Sequence, residues 1–373
     1  MSDRFNTRLP VVSRALARRA FRADRAAAAS PRRIVVAHNL LLGDTLMLTP
    51  LLAKLRALHP AAEISILAAP AFVPIYAGKP YGVTALPFAT AHTDSARGLL
   101  EDSRPWDLAI VPADNRFSWL AAAMGARHIV AHDGDYPFTK NVFVDEMRPY
   151  PESAAAWSDI VADLVDGPDP APYARGHWPA PPAAPFDAPK PPYAVLHVGA
   201  STPLKQWLPE RWMEVARTLE GRGLGVVWSA GRGEEAIVAR CDPAKRYPSF
   251  AGKLDLAQMW HLLAGARLLV APDTGIAHLG RVTWTPTVTL FGPGSALICG
   301  PGNFWRDTPT RAVTVENFPC RDEDILFRRK IAWVRHCARS VAQCAERTQQ
   351  GEPLCMHAIE VPAVLAAVDE LLR

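Results

Sequence analysis

The chain has 373 residues, with 41 lysines and arginines against 37 aspartates and glutamates, a net charge of +4 that is too small to call for a nucleic-acid partner. At 49% hydrophobic and 21% charged residues it can bury a sizeable core, and its length suits two domains better than one. No apolar run approaches the ~20 residues of a membrane-spanning helix, and six cysteines over this length do not make a disulfide scaffold; the expectation is a cytoplasmic protein.

Residues 1–30 read as a basic extension. Arg4, Arg8, Arg14, Arg18, Arg19, Arg22 and Arg25 interleave with Val11, Val12, Leu16, Ala17, Ala20 and Phe21. On a helix starting near Pro10 the apolar residues fall on one side and the arginines on the other. A signal peptide needs a continuous apolar core, which the arginines interrupt. Two readings stay open: peripheral contact with an anionic membrane, at ~1 kcal/mol per cation near the surface, or a solvated extension.

Residues 31–166 then alternate between strand-like and helix-like patterns. RIVVAH (33–38) is a β-branched run of the kind buried in a parallel sheet. Residues 45–58 carry leucines at helical spacing, and EISILA (63–68), LAIVP (108–112) and residues 128–131 read as further strands. Residues 167–192 are crowded with proline and predict a stiff linker without helix or central strand. In 193–350 the alternation resumes. YAVLHV (193–198), GVVWS (225–229), RLLVA (267–271) and TVTLF (287–291) are strands, with helices over 209–219, 234–241, 256–264 and 276–282. A last amphipathic helix over 361–372, within a C-terminal segment 351–373, is expected to cross back to the first domain. The predicted architecture is α/β, two Rossmann-like domains facing each other across a cleft, with ligands at the carboxyl ends of the strands.

The residues at those strand ends carry the chemistry. Asp273-Thr274-Gly275 follows RLLVA and opens a helix, where unpaired N–H groups and the helix dipole suit a phosphate; an ordinary N-cap is the alternative. His278 lies one turn on, on the same face. After YAVLHV, HVGASTPLK supplies Gly199, Ser201, Thr202 and Lys205: close backbone approach, two hydroxyls and a point charge for a diphosphate. AGRGEE (230–235) follows GVVWS, with glycines for a turn and carboxylates suited to ribose hydroxyls. Together these three strand ends read as a nucleotide-diphosphate site. In the first half, Gly43-Asp44 after the first strand places a carboxylate as a general base or, again, a helix cap.

LLLGDTLMLTPLLAKLRALHP, HVGASTPLKQWLPERW, AGRGEE and LLAGARLLVAPDTGIAHLG followed by TVTLFGP, in this order from residue 33 to about residue 304, resemble glycosyltransferase family 9, the heptosyltransferases of lipopolysaccharide core synthesis. The resemblance implies a GT-B fold and an inverting, metal-independent transfer of heptose from ADP-L-glycero-D-manno-heptose to a lipid-linked lipopolysaccharide or other cell-envelope glycan, with no cofactor. Carried onto this sequence, Asp44 matches the base that deprotonates the acceptor hydroxyl and Lys205 the lysine on the donor phosphates, with Ser201 beside it. Glu235 matches the carboxylate near the nucleoside, and Leu254 falls where an apolar residue packs on the adenine. Asp273, Thr274, Gly275 and His278 match the block that holds sugar and diphosphate. The location implied is the cytoplasmic face of the inner membrane.

The chain departs from the family before Gly43. A basic residue followed by small hydroxylated ones is usual there; here the acceptor loop reads His38-Asn39-Leu40-Leu41-Leu42. That leaves the acceptor sugar open, and keeps alive a different nucleotide sugar, a protein acceptor or a weakly catalytic sugar-nucleotide-binding relative. Cys320, Cys337, Cys344 and Cys355 gather near the C-terminus without compact C-x-x-C pairs. Some relatives hold a structural iron with cysteines in this region; the expectation here is reduced thiols and no metal.

Overall fold

The computed structural model describes residues 10–18, 27–90, 93–315, 317–349 and 351–373. The chain divides into two compact units, Met1–Ala171 with Ile325–Trp333, and Pro172–Asp324 with Val334–Arg373.

The first unit is built on β1 (Arg33–Val36), α1 (Leu42–Met47), α2 (Thr49–Leu58), β2 (Glu63–Ala68), β3 (Val83–Pro87), α3 (Thr93–Glu101), β4 (Trp106–Val111), α4 (Phe117–Ala123), β5 (Ala126–His132), β6 (Glu146–Arg148) and α5 (Trp157–Ala162). The strands form one parallel sheet in the order β3-β2-β1-β4-β5-β6. Ile34 of β1 stands level with Ile64 of β2 and Leu108 of β4, and Ile34, Val35 and Val36 are fully buried. This is why the first strand reads as an unbroken β-branched run rather than an alternating one. The order reverses between β1 and β4, and a ligand crevice is expected beyond the carboxyl ends of those two strands.

A segment distant in sequence completes this unit. Ile325–Leu326 pairs antiparallel with Arg329–Lys330. The turn between them puts Phe327 (φ 45°) and Arg328 (φ 68°) in the left-handed region, which non-glycine residues adopt only at a cost. The ribbon is held by Arg329, whose guanidinium donates to the carbonyls of Ala113, His132 and Asp133 and to Asn115 Oδ1, at 2.5–3.0 Å, while 2% exposed.

The second unit contains β7 (Tyr193–His197), α6 (Pro209–Gly221), β8 (Gly225–Ser229), α7 (Glu235–Cys241), α8 (Leu256–Ala264), β9 (Leu268–Pro272), α9 (Gly275–Val282), β10 (Thr287–Phe291), β11 (Thr310–Thr314), α10 (Leu354–His357) and α11 (Val361–Leu372). Its parallel sheet runs β11-β10-β9-β7-β8, with the order reversing between β9 and β7. Apolar side chains of β7–β10 and of α6 and α11 share one core.

One predicted element needs correcting. The predicted helix over 45–58 is two helices with a turn at Leu48, because Pro50 cannot donate to the preceding turn and starts a new helix instead. The last helix buries Val361, Val364, Ala367 and Val368 in the core of the second unit. Residues 325–333 group with the first unit. Of the basic extension, residues 10–18 form a helix that buries Ala15 and packs Val11 against the first unit's core, so this part is not a loose solvated arm. Arg4, Arg8, Arg19, Arg22 and Arg25 lie outside the described residues.

Candidate active site

In the second unit the predicted residues converge on the reversal between β7 and β9. Lys205, in a 3-10 turn after β7, donates from Nζ to the Asp273 backbone carbonyl at 2.8 Å and to Asp273 Oδ2 at 2.9 Å. Asp273 directly follows β9, and its side chain is 8% exposed. A Cβ on Gly294 would come within 2.3 Å of Asp273 Oδ2, so the loop after β10 passes the carboxylate where only glycine fits.

Thr274 is the N-cap residue of α9, yet its side chain caps nothing, and its hydroxyl is buried without a partner. The ordinary capping alternative is therefore not what the residue does. The first turn of α9 thus has no side-chain cap, and its dipole favours an anion. Gly275 opens that turn and His278 follows one turn on. The His278 ring is neutral: burial drives its pKa well below the usual value, helped by Arg281 and Lys205. Arg281 Nη1 approaches His278 Nδ1 at 3.4 Å, which leaves the ring proton on Nε2, 4.0 Å from Asp273 Oδ1. With a neutral ring that contact is dipolar, not an ion pair.

The loops after β7 and β8 are tied by Glu234, which accepts from the N–H groups of Ala200 (3.0 Å) and Gly231 (2.6 Å). A Cβ on Gly199 would lie 2.1 Å from Glu234 Oε2. Glu235, the carboxylate singled out from sequence, opens α7 and is exposed. Hydrogen bonds from its own N–H and that of Gly233 hold its carboxyl below the usual range. Thr202 spends its hydroxyl on the Leu204 N–H (3.3 Å), Ser201 is exposed, and Leu254 is half-buried ahead of the Asp255 cap of α8. Arg281 was not found from sequence, and Glu234 only as one of the two carboxylates of AGRGEE. Glu234 sits in an acidic doublet that spacing cannot divide, and Arg281 has the pattern of any basic residue in a helix's last turn.

In the first unit Asp44 lies inside the first turn of α1, half-buried, and Leu41 is the N-cap residue, so Asp44 does not cap the helix in the ordinary way. His38 and Asn39 line a cavity of about 740 Å³ at the carboxyl ends of β1 and β4, together with Phe88, Asp114, Arg116, Phe117, Trp119, Phe327 and Arg328. Gly43 and Asp44 are not among its lining residues. Burial raises the pKa of Asp114, but hydrogen bonds from Arg116 and the charge of Lys140 outweigh it and hold the carboxyl below the usual range. Burial takes the His38 pKa down to about 3.

The four cysteines line one small cavity of about 80 Å³ and are all free thiols. Among the described residues no group of three or more ligating side chains is arranged to hold a metal ion.

Residues 107–324 match the model of glycosyltransferase family 9 (heptosyltransferase). The chain belongs to glycosyltransferase family 9. Lipopolysaccharide heptosyltransferase 1 of Pseudomonas aeruginosa is 39% identical over 107 residues, 27% of this chain and 29% of that protein. The Salmonella typhimurium protein of the same name is 32% identical over 104 residues, 27% of this chain and 32% of that one. The matched part thus spans about a third of these relatives. Over the whole fold the family 9 chain is similar to E. coli ADP-heptose LPS heptosyltransferase II (TM-score 0.67, 18% identity, 91% of this chain and 98% of that one). It is similar also to E. coli heptosyltransferase WaaC with ADP (TM-score 0.65, 17% identity, 91% and 99%). Family and fold class, GT-B with two Rossmann-like sheets, therefore agree with the sequence reading.

Proposed function

We propose that this family 9 chain is an inverting heptosyltransferase that moves a heptose from ADP-L-glycero-D-manno-heptose to a lipid-linked cell-envelope glycan. The observation that carries the reading is the convergence of Lys205, Asp273 and the uncapped start of α9 on one sheet reversal. ADP leaves as an anion. An ammonium and a helix N-terminus fixed in advance meet that charge without reorganising as it develops. The donor's diphosphate shares Lys205 with Asp273, and the neutral His278 donates from Nε2 toward the same place. Asp44 removes the proton of the acceptor hydroxyl as its oxygen attacks the anomeric carbon from the face opposite ADP, with the configuration inverted. Support for work at the inner face of the cytoplasmic membrane is the helix over 10–18, which exposes Val12 and Leu16 beside Arg14.

The test is unfolding free energy in ADP, UDP, GDP or ADP-heptose, with and without EDTA. A ligand at ~100 times its dissociation constant adds ~2.7 kcal/mol. Selective stabilisation by ADP and ADP-heptose, unchanged by EDTA, supports the reading; preference for UDP or GDP moves the protein to another donor. Asp44→Asn is expected to lower kcat by about 10²–10⁴-fold while ADP affinity stays within twofold. Turnover within a few-fold of wild type would remove Asp44 from the role of base.

A further inference from the structure

Four thiols of the second unit lie apart from the proposed transfer chemistry. Cys320, Cys337, Cys344 and Cys355 all face one cavity of about 80 Å³, room for a few waters and nothing larger. The first two are brought side by side by their own segments, where Glu323 and His336 exchange backbone hydrogen bonds at 3.0 and 3.3 Å. A single nitrogen then touches both: Arg339 Nη1 donates to the Cys320 carbonyl at 2.5 Å and reaches Cys337 Sγ at 3.9 Å. Asp322 holds that guanidinium in place with contacts of 2.7 and 2.8 Å. A cation beside the sulfur is the setting of reactive cysteines, and apolar burial is that of inert ones. Half-buried Cys337 has the first. Cys355 has the second, and burial is the main cause that pushes its thiol up to about 11. The pocket also backs onto the donor loops, since its wall includes Leu204 and Pro293. Leu204 directly precedes Lys205. The Cys337 N–H donates to the Pro293 carbonyl at 2.9 Å, and Pro293 precedes Gly294, the glycine that passes Asp273 Oδ2. A displacement of Cys337 is therefore carried to the residues that flank the Lys205–Asp273 pair.

We propose that Cys337 and Cys320 form a dithiol that a small disulfide, such as glutathione disulfide, oxidises to a bridge, and that the bridge weakens the donor site. Cys337, as the thiolate, attacks one sulfur of the small disulfide, forming a mixed disulfide and releasing one thiolate. The Cys320 sulfur then attacks Cys337 Sγ and displaces the second. The two cysteine protons pass to the two released thiolates, and two electrons pass from the cysteine pair to the small disulfide. Closing the bridge draws Cys337 toward Cys320, and the hydrogen bond to Pro293 shifts Gly294 against the Asp273 carboxylate. The effect on ADP rests on the donor reading of Lys205 and Asp273, whereas the thiol exchange stands without it.

The test uses the full chain, reduced and then incubated folded with glutathione disulfide. Peptide mapping of wild type is expected to show Cys320 joined to Cys337 with no glutathione retained, a result that needs no variant to fold. Calorimetric titration with ADP is expected to show about tenfold weaker binding after oxidation, a coupling of ordinary size, and full recovery in dithiothreitol. Cys320→Ser is expected to stop at the first step, with one glutathione held on Cys337. Cys337→Ser is expected to form no bridge at Cys320 and to bind ADP equally with and without the oxidant. The proposal is overturned if Cys337 of folded wild type does not react, if the mapped bridge lacks Cys337, or if ADP binds reduced and oxidised wild type alike. Failure of reduced wild type to bind ADP would instead overturn the donor reading, and the mapped bridge would still decide the dithiol.

Discussion

On the proposed transferase reading, Arg281 is a side chain that meets no ligand and yet influences His278, which does. Its guanidinium is 3% exposed, donates to the Gly300 carbonyl at 3.1 Å and faces His278 Nδ1 at 3.4 Å, while its Nε has no partner. Burial lowers its pKa to about 10, the largest effect, with Cys299 and Asp273 acting the other way. It stays charged at neutral pH and adds to burial in keeping His278 uncharged, with the proton on Nε2. Removing the charge, as in Arg281→Met, substitutes an apolar chain of similar length but leaves the Gly300 carbonyl and His278 Nδ1 without that donor, a cost of about 1–3 kcal/mol. The expectation is a folded protein in which His278 titrates higher and the donor site is misaligned, with kcat/KM for ADP-heptose down by about 10–100-fold. NMR of the His278 ring against pH checks the first part and steady-state kinetics the second. An unshifted His278 with reduced activity would mean that Arg281 acts through packing alone. Lys205→Met is a different case. It leaves Asp273 buried without its cation, so a stability loss of about 1–3 kcal/mol should accompany at least a tenfold loss of ADP affinity.

The position of α9 fixes Thr274, Gly275 and His278 together, and Gly280 sets how close that helix lies to the sheet. A Cβ there would meet Thr287 Oγ1 at 2.5 Å and Leu269 Cδ2 at 2.8 Å, on β10 and β9 respectively. Gly280→Ala must therefore lift the helix or push both strands, an overpacking worth about 1–3 kcal/mol. Because the helix start moves with it, ADP affinity should fall as well. Loss of stability with ADP affinity intact would show that the helix start is held by its loop rather than by packing. Elements of this kind were legible in the sequence. The strands Arg33–Val36 and Tyr193–His197 are short apolar runs between turn residues, and 256–264 and 361–372 carry the 3.6-residue period. The edge strands β3, β6 and β11 were not, because half-exposed edges carry mixed residues such as the Thr-Arg-Ala-Val-Thr of β11. Nor was the return of 325–333 to the first unit. It depends on Arg329 finding four backbone and side-chain oxygens supplied by residues 113–133, and no local pattern announces such a partner. The same holds within the site. Lys205 and the Asp273 block could be read from strand-end position, whereas the choice between Glu234 and Glu235 exists only once the loops have folded.

Taken across the whole chain, the buried histidines link stability to acidity. His38 and His132 of the first unit have pKa values pushed down to about 3, and His197 of the second to about 4; His278 also lies well below the usual value. Burial is the main cause in each, with Arg329 adding to it at His132. In the unfolded chain each titrates near 6.5. Below that pH the unfolded state binds protons that the folded state refuses, so stability rises with pH, is fully present above about 6.5 and drains away as pH falls toward the folded values. By linkage each of His38, His132 and His197 costs about 2 kcal/mol at pH 5. Both units carry such histidines, so neither is spared, and those three together rival the lower end of the 5–15 kcal/mol by which proteins are ordinarily stable. The expected behaviour is a steep fall of the urea midpoint between pH 6.5 and 5, well above the range where carboxylates titrate. His132→Phe fills a similar volume under Tyr150, whose ring centroid lies 4.4 Å away, and removes one of these protons. Relative to wild type it should gain about 2 kcal/mol on going from pH 7.5 to pH 5. Identical acid slopes in the two proteins would show that His132 becomes protonated without unfolding the first unit. The site has a stake in the same balance, since a protonated His278 would put a further cation against Lys205 and Arg281. ADP affinity should therefore hold to the pH at which the second unit begins to unfold and fail together with it.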